Sequence, residues 1–424
     1  MINKYKKYRA YAKNLVTYFG ASIIPMALGL IVNPWIAMNM TPRDYAISGY
    51  YTSFSSLISP IIIFYLLHFY IKEYYRINVQ QRKILFAIIA KATIWFSGAI
   101  SIICFIGLYI YLIYFNQELS FPIFPYLALM VFALPLTGLL NLQLAEYRMD
   151  KKANAFFRLS TCNGVLGIII NIILIIWLKW GAFGKLLGPL ICNGIIFLYL
   201  FFKLRNQLKI PTPFKEFKRI FIFCLPLALS AALGYFTNGF TTTYLESIGN
   251  TTEYGYYVVG ASMAAYLTTF TSAVGNTFQP DLYESTINKQ WSRYAKFCIL
   301  QISAYAIIAF SFILCAPFII SILTAGRYVE STQYAQIIAL STITSGIYFL
   351  INNFSIATNK PNFYLYTSII GSALIVYFTP KFVNNWSFYG GAWMTVASFL
   401  IFSFINLILI GFSNPNLLKS TNKI

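Results

Sequence analysis

Residues 23–75 read IIPMALGLIVNPWIAMNMTPRDYAISGYYTSFSSLISPIIIFYLLHFYIKEYY. Two apolar runs flank one short polar turn, Asn39 to Tyr45, and each run approaches the length of about 20 residues that crosses a bilayer core as a helix. The turn carries its own start signal. Thr41 is followed three residues later by Asp44, the pattern in which a capping hydroxyl and a carboxylate satisfy the first amides of a helix, and Pro42 suits the first helical position. The stretch therefore reads as a hairpin of two membrane-spanning helices.

The rest of the chain repeats that character. Of its 424 residues 58% are hydrophobic, 19% aromatic and only 10% charged, with a mean hydropathy of +0.67. A soluble surface needs roughly a quarter of its residues charged. Scanning outward gives twelve spans, near 15–38, 46–71, 92–114, 122–143, 159–178, 186–202, 220–245, 254–277, 297–324, 333–354, 363–380 and 390–412. The expected fold is an all-α polytopic membrane protein. The basic N-terminus, MINKYKKYRAYAKN, precedes a run too long for a signal-peptide core and reads as an uncleaved first span with an interfacial anchor.

Charge sets the expected orientation. Thirty-one Lys and Arg against eleven acids give a net charge of +20. On a polar chain this would suggest nucleic acid, but on this one it points to basic loops beside membrane spans, so no nucleic-acid partner is expected. Of the 31 cations, 25 fall in the two termini and the even-numbered loops, and 5 in the odd-numbered loops, including Lys179 and Lys185 of KWGAFGK. The positive-inside rule then places both termini in the cytoplasm, which requires an even number of spans. No connection is long enough to house an extramembrane active site.

The two halves resemble each other. Pro25 to Leu28 matches Pro226 to Leu229, Asp44-Tyr45 matches Glu253-Tyr254, and Lys152, Gly164 and Gly181 match Lys360, Gly371 and Gly390. After one insertion the offset stays close to 208. Asn250 followed by Glu253 repeats the capping pattern of Thr41 and Asp44. Domains of residues 1–206 and 207–424 follow, two pseudo-symmetric six-helix bundles in parallel orientation, a design suited to alternating access.

The opening stretch, YRMDKKANAFFRLSTCNGVLGIIINIILI, the WGAFG and YGGAW turns and FQPDLYE together resemble the polysaccharide flippases. These are the O-antigen, Wzx-type family of the multidrug and oligosaccharidyl-lipid exporter superfamily, and the likeness covers essentially the whole chain. It implies two bundles in a V around a cationic cavity that passes a lipid-linked oligosaccharide, carried on polyprenyl pyrophosphate, from the cytoplasmic to the periplasmic leaflet of a bacterial inner membrane. The implied partners are that substrate, the lipid bilayer and other polysaccharide-assembly membrane proteins. No cofactor is implied beyond possible coupling to H+ or Na+.

Ionisable groups inside spans are costly and by default functional. Lys91, in ILFAIIAKATIWFSGAI, is either a cavity-facing substrate cation or a residue snorkelling to headgroups. His68, Lys72 and Arg76, at i, i+4 and i+8, share one helix face. The flippase pattern leads one to expect Arg at position 68. Histidine, whose ordinary pKa is about 6.5, makes a cation there pH-dependent, and an ordinary headgroup-level histidine is the competing reading. Asn33 and Asn238 are candidates for hydrogen bonds to sugar hydroxyls or to other helices. The six cysteines read as small buried hydrophobes. With one histidine and no metal-binding spacing, an enzyme is not expected; a multidrug exporter, or a membrane polymerase or ligase, are the alternatives.

Overall fold

The computed structural model describes residues 2–74, 76–115, 120–211, 214–288, 290–357 and 362–413, helical with no strand among them. The first span lies in α1 (Ile2–Met38). The second is cut into α2 (Pro42–Ser53), α3 (Ser55–Ile63) and α4 (Leu66–Glu73), where a single helix over 46–71 was expected. Pro60 lacks an amide and its ring crowds the turn before it, on the side of the α2–α3 break; at the other break α3 ends at Phe64, whose amide donates to the Pro60 carbonyl. Phe64 and Tyr65 then both take left-handed conformations, with φ of 55° and 53°. Two such non-glycine residues in succession are costly. Phe64 is held by a stack on Phe221 at 4.6 Å, and the Cys224 thiol donates to the Tyr65 carbonyl.

Next come α5 (Val79–Phe115), α6 (Tyr126–Met149) and α7 (Ala153–Asn171), which runs into a π-helical turn, Ile172–Trp177. They are followed by α8 (Gly181–Leu208) and α9 (Phe214–Ala232). The remaining helices are α10 (Tyr235–Asn238), α11 (Phe240–Leu245), α12 (Thr251–Ala265), α13 (Leu267–Ile287), α14 (Trp291–Leu323), α15 (Ser331–Ala339), α16 (Ser341–Ala357) and α17 (Asn362–Ser413). Nine stretches of the described residues are long and apolar enough to cross a membrane. The twelve spans are recovered because α17 is two helices meeting at non-helical Ser387, α1 contributes the shorter apolar run Ile23–Met38, and the more polar pair α12 and α13 forms the eighth.

By packing, the chain separates into units of residues 1–232 and 233–424. The 206/207 boundary drawn from the repeat falls before α9, which packs on α3, α4 and α5 and so groups with the first unit. Within that unit α1 lies against α7 and α6 against α8; within the second, α16 lies against α17 and α12 against α15. Between membrane helices the hydrophobic effect gives little, so contact depends on small residues that let backbones approach. A Cβ at Gly164 would lie 2.4 Å from Pro25, which explains both the glycine on α7 and its place opposite α1.

The repeated caps form as the pattern requires. The Thr41 amide donates to Asp44 Oδ2 at 2.8 Å and the Asp44 amide to Thr41 Oγ1 at 3.2 Å, a closed capping box. In the second unit the Glu253 amide donates to Asn250 Oδ1 at 3.1 Å. Asp44 also reaches further: its Oδ1 accepts from the Ala182 amide at 2.9 Å, so one carboxylate caps the starts of both α2 and α8. Gly181 makes room for it, with φ +46° and a Cβ position 2.4 Å from Asp44 Oδ1.

Gly181→Ala is therefore expected to lower the melting temperature of the purified chain in detergent, at a cost of at least about 1 kcal/mol from the left-handed backbone alone. Gly107→Ala, inside α5 where an added Cβ meets nothing within 4 Å, serves as the control and is expected to melt no lower than the unmodified chain.

Candidate functional site

The candidate cations lie at the end of the first unit that carries the basic loops. Lys91 stands on α5, and its ammonium donates to the Ile210 carbonyl at 2.8 Å. Ile210 follows the last turn of α8, where carbonyls are orphaned and the helix dipole is negative, so a cation is well placed there. Lys91 thus ties the third span to the segment that leads into α9.

His68, on the first turn of α4, is exposed and stacks on Tyr65, 4.4 Å between ring centroids. Lys72 sits one turn on, its ammonium 4.0 Å from the centre of the Phe223 ring. These two share the expected face, but α4 ends at Glu73, so Arg76 leaves the line and lies 3.7 Å from the Glu73 carboxylate. Glu73 is buried and also faces Arg219 at 3.9 Å, which in turn approaches Glu216 at 3.7 Å. Phe69, Glu73, Glu216 and Arg219 line a cavity of about 280 Å³ whose apolar wall includes Ile84 and Ile88 of α5, two turns and one turn before Lys91. Asn33 is half-buried on α1 and engaged within the protein. The Asn238 side chain lies outside the described residues.

A second network binds the loops at this end. Tyr74 donates to Asp150, Lys152 donates to Asp150 at 2.7 Å, and the Arg82 guanidinium lies 4.4 Å over the Tyr74 ring. Burial disfavours the Asp150 carboxylate, but the hydrogen bonds from Lys152 and Tyr74 and the charges of Lys152 and Arg82 outweigh it and hold its pKa below the ordinary value. Burial and the bond to Asp150 push the Tyr74 hydroxyl up to about 12. Sequence reading missed this cluster because Tyr74 and Asp150 are 76 residues apart.

Two further expectations are corrected. Lys185, counted with the loop charges, lies inside α8, because that helix begins at Gly181 and its first turn takes up most of the turn read as loop. Of the cysteines, Cys192 and Cys224 are buried, but Cys162 and Cys315 are exposed on the surfaces of α7 and α14.

These features define a helical membrane protein of two units, with the candidate cations His68, Lys72, Arg76 and Lys91 at one end of the first. The chain belongs to a family of polysaccharide biosynthesis proteins, whose model matches residues 36–333. No curated protein matches the sequence. Among solved structures, a multidrug-resistance MATE-family transporter of the MOP superfamily, inward-facing, is similar at TM-score 0.69 and 13% identity, over 95% of this chain and 99% of its own. The lipid II flippase MurJ, inward closed, is similar at 0.69 and 13% identity, over 93% and 87%. A MOP-superfamily transporter from Pyrococcus furiosus, described by the reverse polarity of its binding pocket, is similar at 0.63 and 13% identity, over 97% and 96%. The chain shares its fold with these three transporters.

Two outcomes test the site. Lys91→Met is expected to cost about 1 kcal/mol of stability by removing the bond to the Ile210 carbonyl, read as a lowered melting temperature; an unchanged melt would show that this bond does not hold the segment before α9. Because the folded pKa of Asp150 is depressed, its contribution is present above the unfolded carboxylate value and is lost as pH falls through the folded one. Asp150→Asn is therefore expected to melt lower than the unmodified chain at pH 7, with the gap closing below about pH 4.

Proposed function

We propose that this chain is a flippase that moves a lipid-linked oligosaccharide, carried on polyprenyl pyrophosphate, from the cytoplasmic to the periplasmic leaflet of a bacterial inner membrane, for surface polysaccharide synthesis. The observation that carries this reading is the polysaccharide-biosynthesis family match across residues 36–333, on a fold shared with a lipid II flippase. Movement is by alternating access of the two six-span halves, with both termini in the cytoplasm and H+ or Na+ as the driving ion. The substrate's pyrophosphate is anionic and needs cations and hydrogen-bond donors to replace its water. His68, Lys72, Arg76 and Lys91 are the groups proposed to meet it on the entry side, and Asn33 and Asn238, toward the outer ends of the first and seventh spans, are proposed to meet it further along its path.

The likeness to a multidrug-resistance transporter favours a second reading, export of organic cations. A carrier of cations calls for buried carboxylates free to meet them. Among the described residues the buried carboxylates are Glu73, which faces Arg76 and Arg219, and Glu246, which is engaged within the protein. That distribution supports an anionic substrate. The likeness of the fold to transporters favours a carrier over an enzyme of polysaccharide assembly.

Expression in a strain lacking its own flippase tests the proposal. Restored surface glycan, together with appearance of the lipid-linked sugar in the periplasmic leaflet of spheroplasts, is the expected result. Unrestored glycan with resistance to cationic dyes would establish the exporter reading instead.

A further inference from the structure

The described residues hold a further cation at the start of a membrane-crossing helix that the charge count hid. Lys185 lies in the second turn of α8, half-buried, with its ammonium 4.2 Å from the centre of the Tyr45 ring. Tyr45 is 3% exposed, so the ring it covers belongs to the interior of the first unit. Among the described residues no hydrogen-bond acceptor or ion-pair partner reaches this ammonium; the aromatic face is its direct contact.

The obvious partner is already taken. Asp44, next to Tyr45, accepts from the Thr41 amide and hydroxyl with Oδ2, at 2.8 and 2.7 Å, and from the Ala182 amide with Oδ1 at 2.9 Å. It serves two helix starts, each equivalent to about half a positive charge. One carboxylate facing two dipole ends and an ammonium leaves a local excess of about one positive charge. A lysine in the second turn of a helix is also on the wrong side of the dipole, so helix stability gives no reason for it. Nor does the fold. At the offset that pairs Gly181 with Gly390, the counterpart of Lys185 is Met394, fully buried in the second unit.

We infer that Lys185 is an anion-binding residue of the first unit that takes the pyrophosphate oxygens of the transported lipid. An ammonium on a flexible stem, with three donors and only a π face to satisfy it, suits phosphate oxygens that arrive and leave. Lys185 lies near the start of the sixth span, at the end opposite the basic loops. In the proposed orientation this is the release side, distinct from the entry-side cations around α4. The choice of ligand rests on the flippase reading; the cation without an acceptor does not.

The test uses the full chain in nanodiscs, with sugar-free undecaprenyl pyrophosphate and inorganic pyrophosphate as separate probes. Lys185→Met, which installs the counterpart's side chain, is expected to weaken undecaprenyl pyrophosphate binding by about tenfold or more, while Lys185→Arg stays within about threefold of the unmodified chain. The melting temperature of Lys185→Met is expected to be unchanged, and Lys185→Gln gives the same reading should the Met variant melt early. An equal loss with inorganic pyrophosphate makes the free anion sufficient, and a loss confined to the lipid makes the tail part of recognition; both support the site. Neutral variants that bind both probes as tightly as the unmodified chain, or an unmodified chain that binds neither, overturn it. Restored surface glycan with Lys185-independent binding sinks this inference alone. Lys185-dependent binding without restored glycan sinks the transport reading alone.

Discussion

Hydrocarbon offers no hydrogen bonds, so every backbone amide and carbonyl inside the membrane must find its partner within the chain. The helices obey this by length, and the breaks in them are where the chain has to answer for it. At Phe64 and Tyr65 the second span stops and restarts; the Phe64 amide closes on Pro60, and the Tyr65 carbonyl accepts from both the His68 amide and the Cys224 thiol. At Ile172–Trp177 the fifth span loosens into a π turn, which keeps its bonds while shifting its register. At the start of α8 the orphan amide of Ala182 is met by Asp44, a residue 138 positions away. The first and the last of these are compensated by a neighbour in the same unit, and so each also fixes how two helices pack.

The same economy governs charge. A cation in a span is tolerable when something negative or polarisable meets it, and three lysines of the first unit find different answers. Lys91 meets a carbonyl beyond a helix end, Lys72 meets an aromatic ring, and Lys152, in a loop, meets a carboxylate. The first two are held by groups that cost little to leave, because neither is a full opposite charge. That distinguishes them from the Asp150 cluster, where a carboxylate, a phenol and two cations close on one another as a fastening between loops.

Much of the architecture was legible in composition and spacing. Apolar run length is a direct consequence of bilayer thickness, so the spans and their number could be counted without knowing any contact. Thr41 with Asp44 and Asn250 with Glu253 could be read as helix starts because capping is local, decided within four residues. The candidate site was legible only in part. His68 and Lys72 share a face as the helical period requires, but Arg76 does not, because the helix ends at Glu73 in a way no local pattern announces. Lys185 was misread as a loop charge because a short turn, WGAFG, is equally consistent with either side of a helix start.

The sequence by itself determined that this chain is a bundle of membrane helices with an internal repeat, since burial in lipid and helix capping act on residue type and near neighbours alone. Tertiary structure decided what each charge faces. Asp44 caps a helix far from its own, Lys91 holds the segment before α9, and Lys185 stands against Tyr45 without an acceptor among the described residues. Those pairings depend on which helices pack together, and that is set by steric fit, such as Gly164 against Pro25, between segments far apart in the chain.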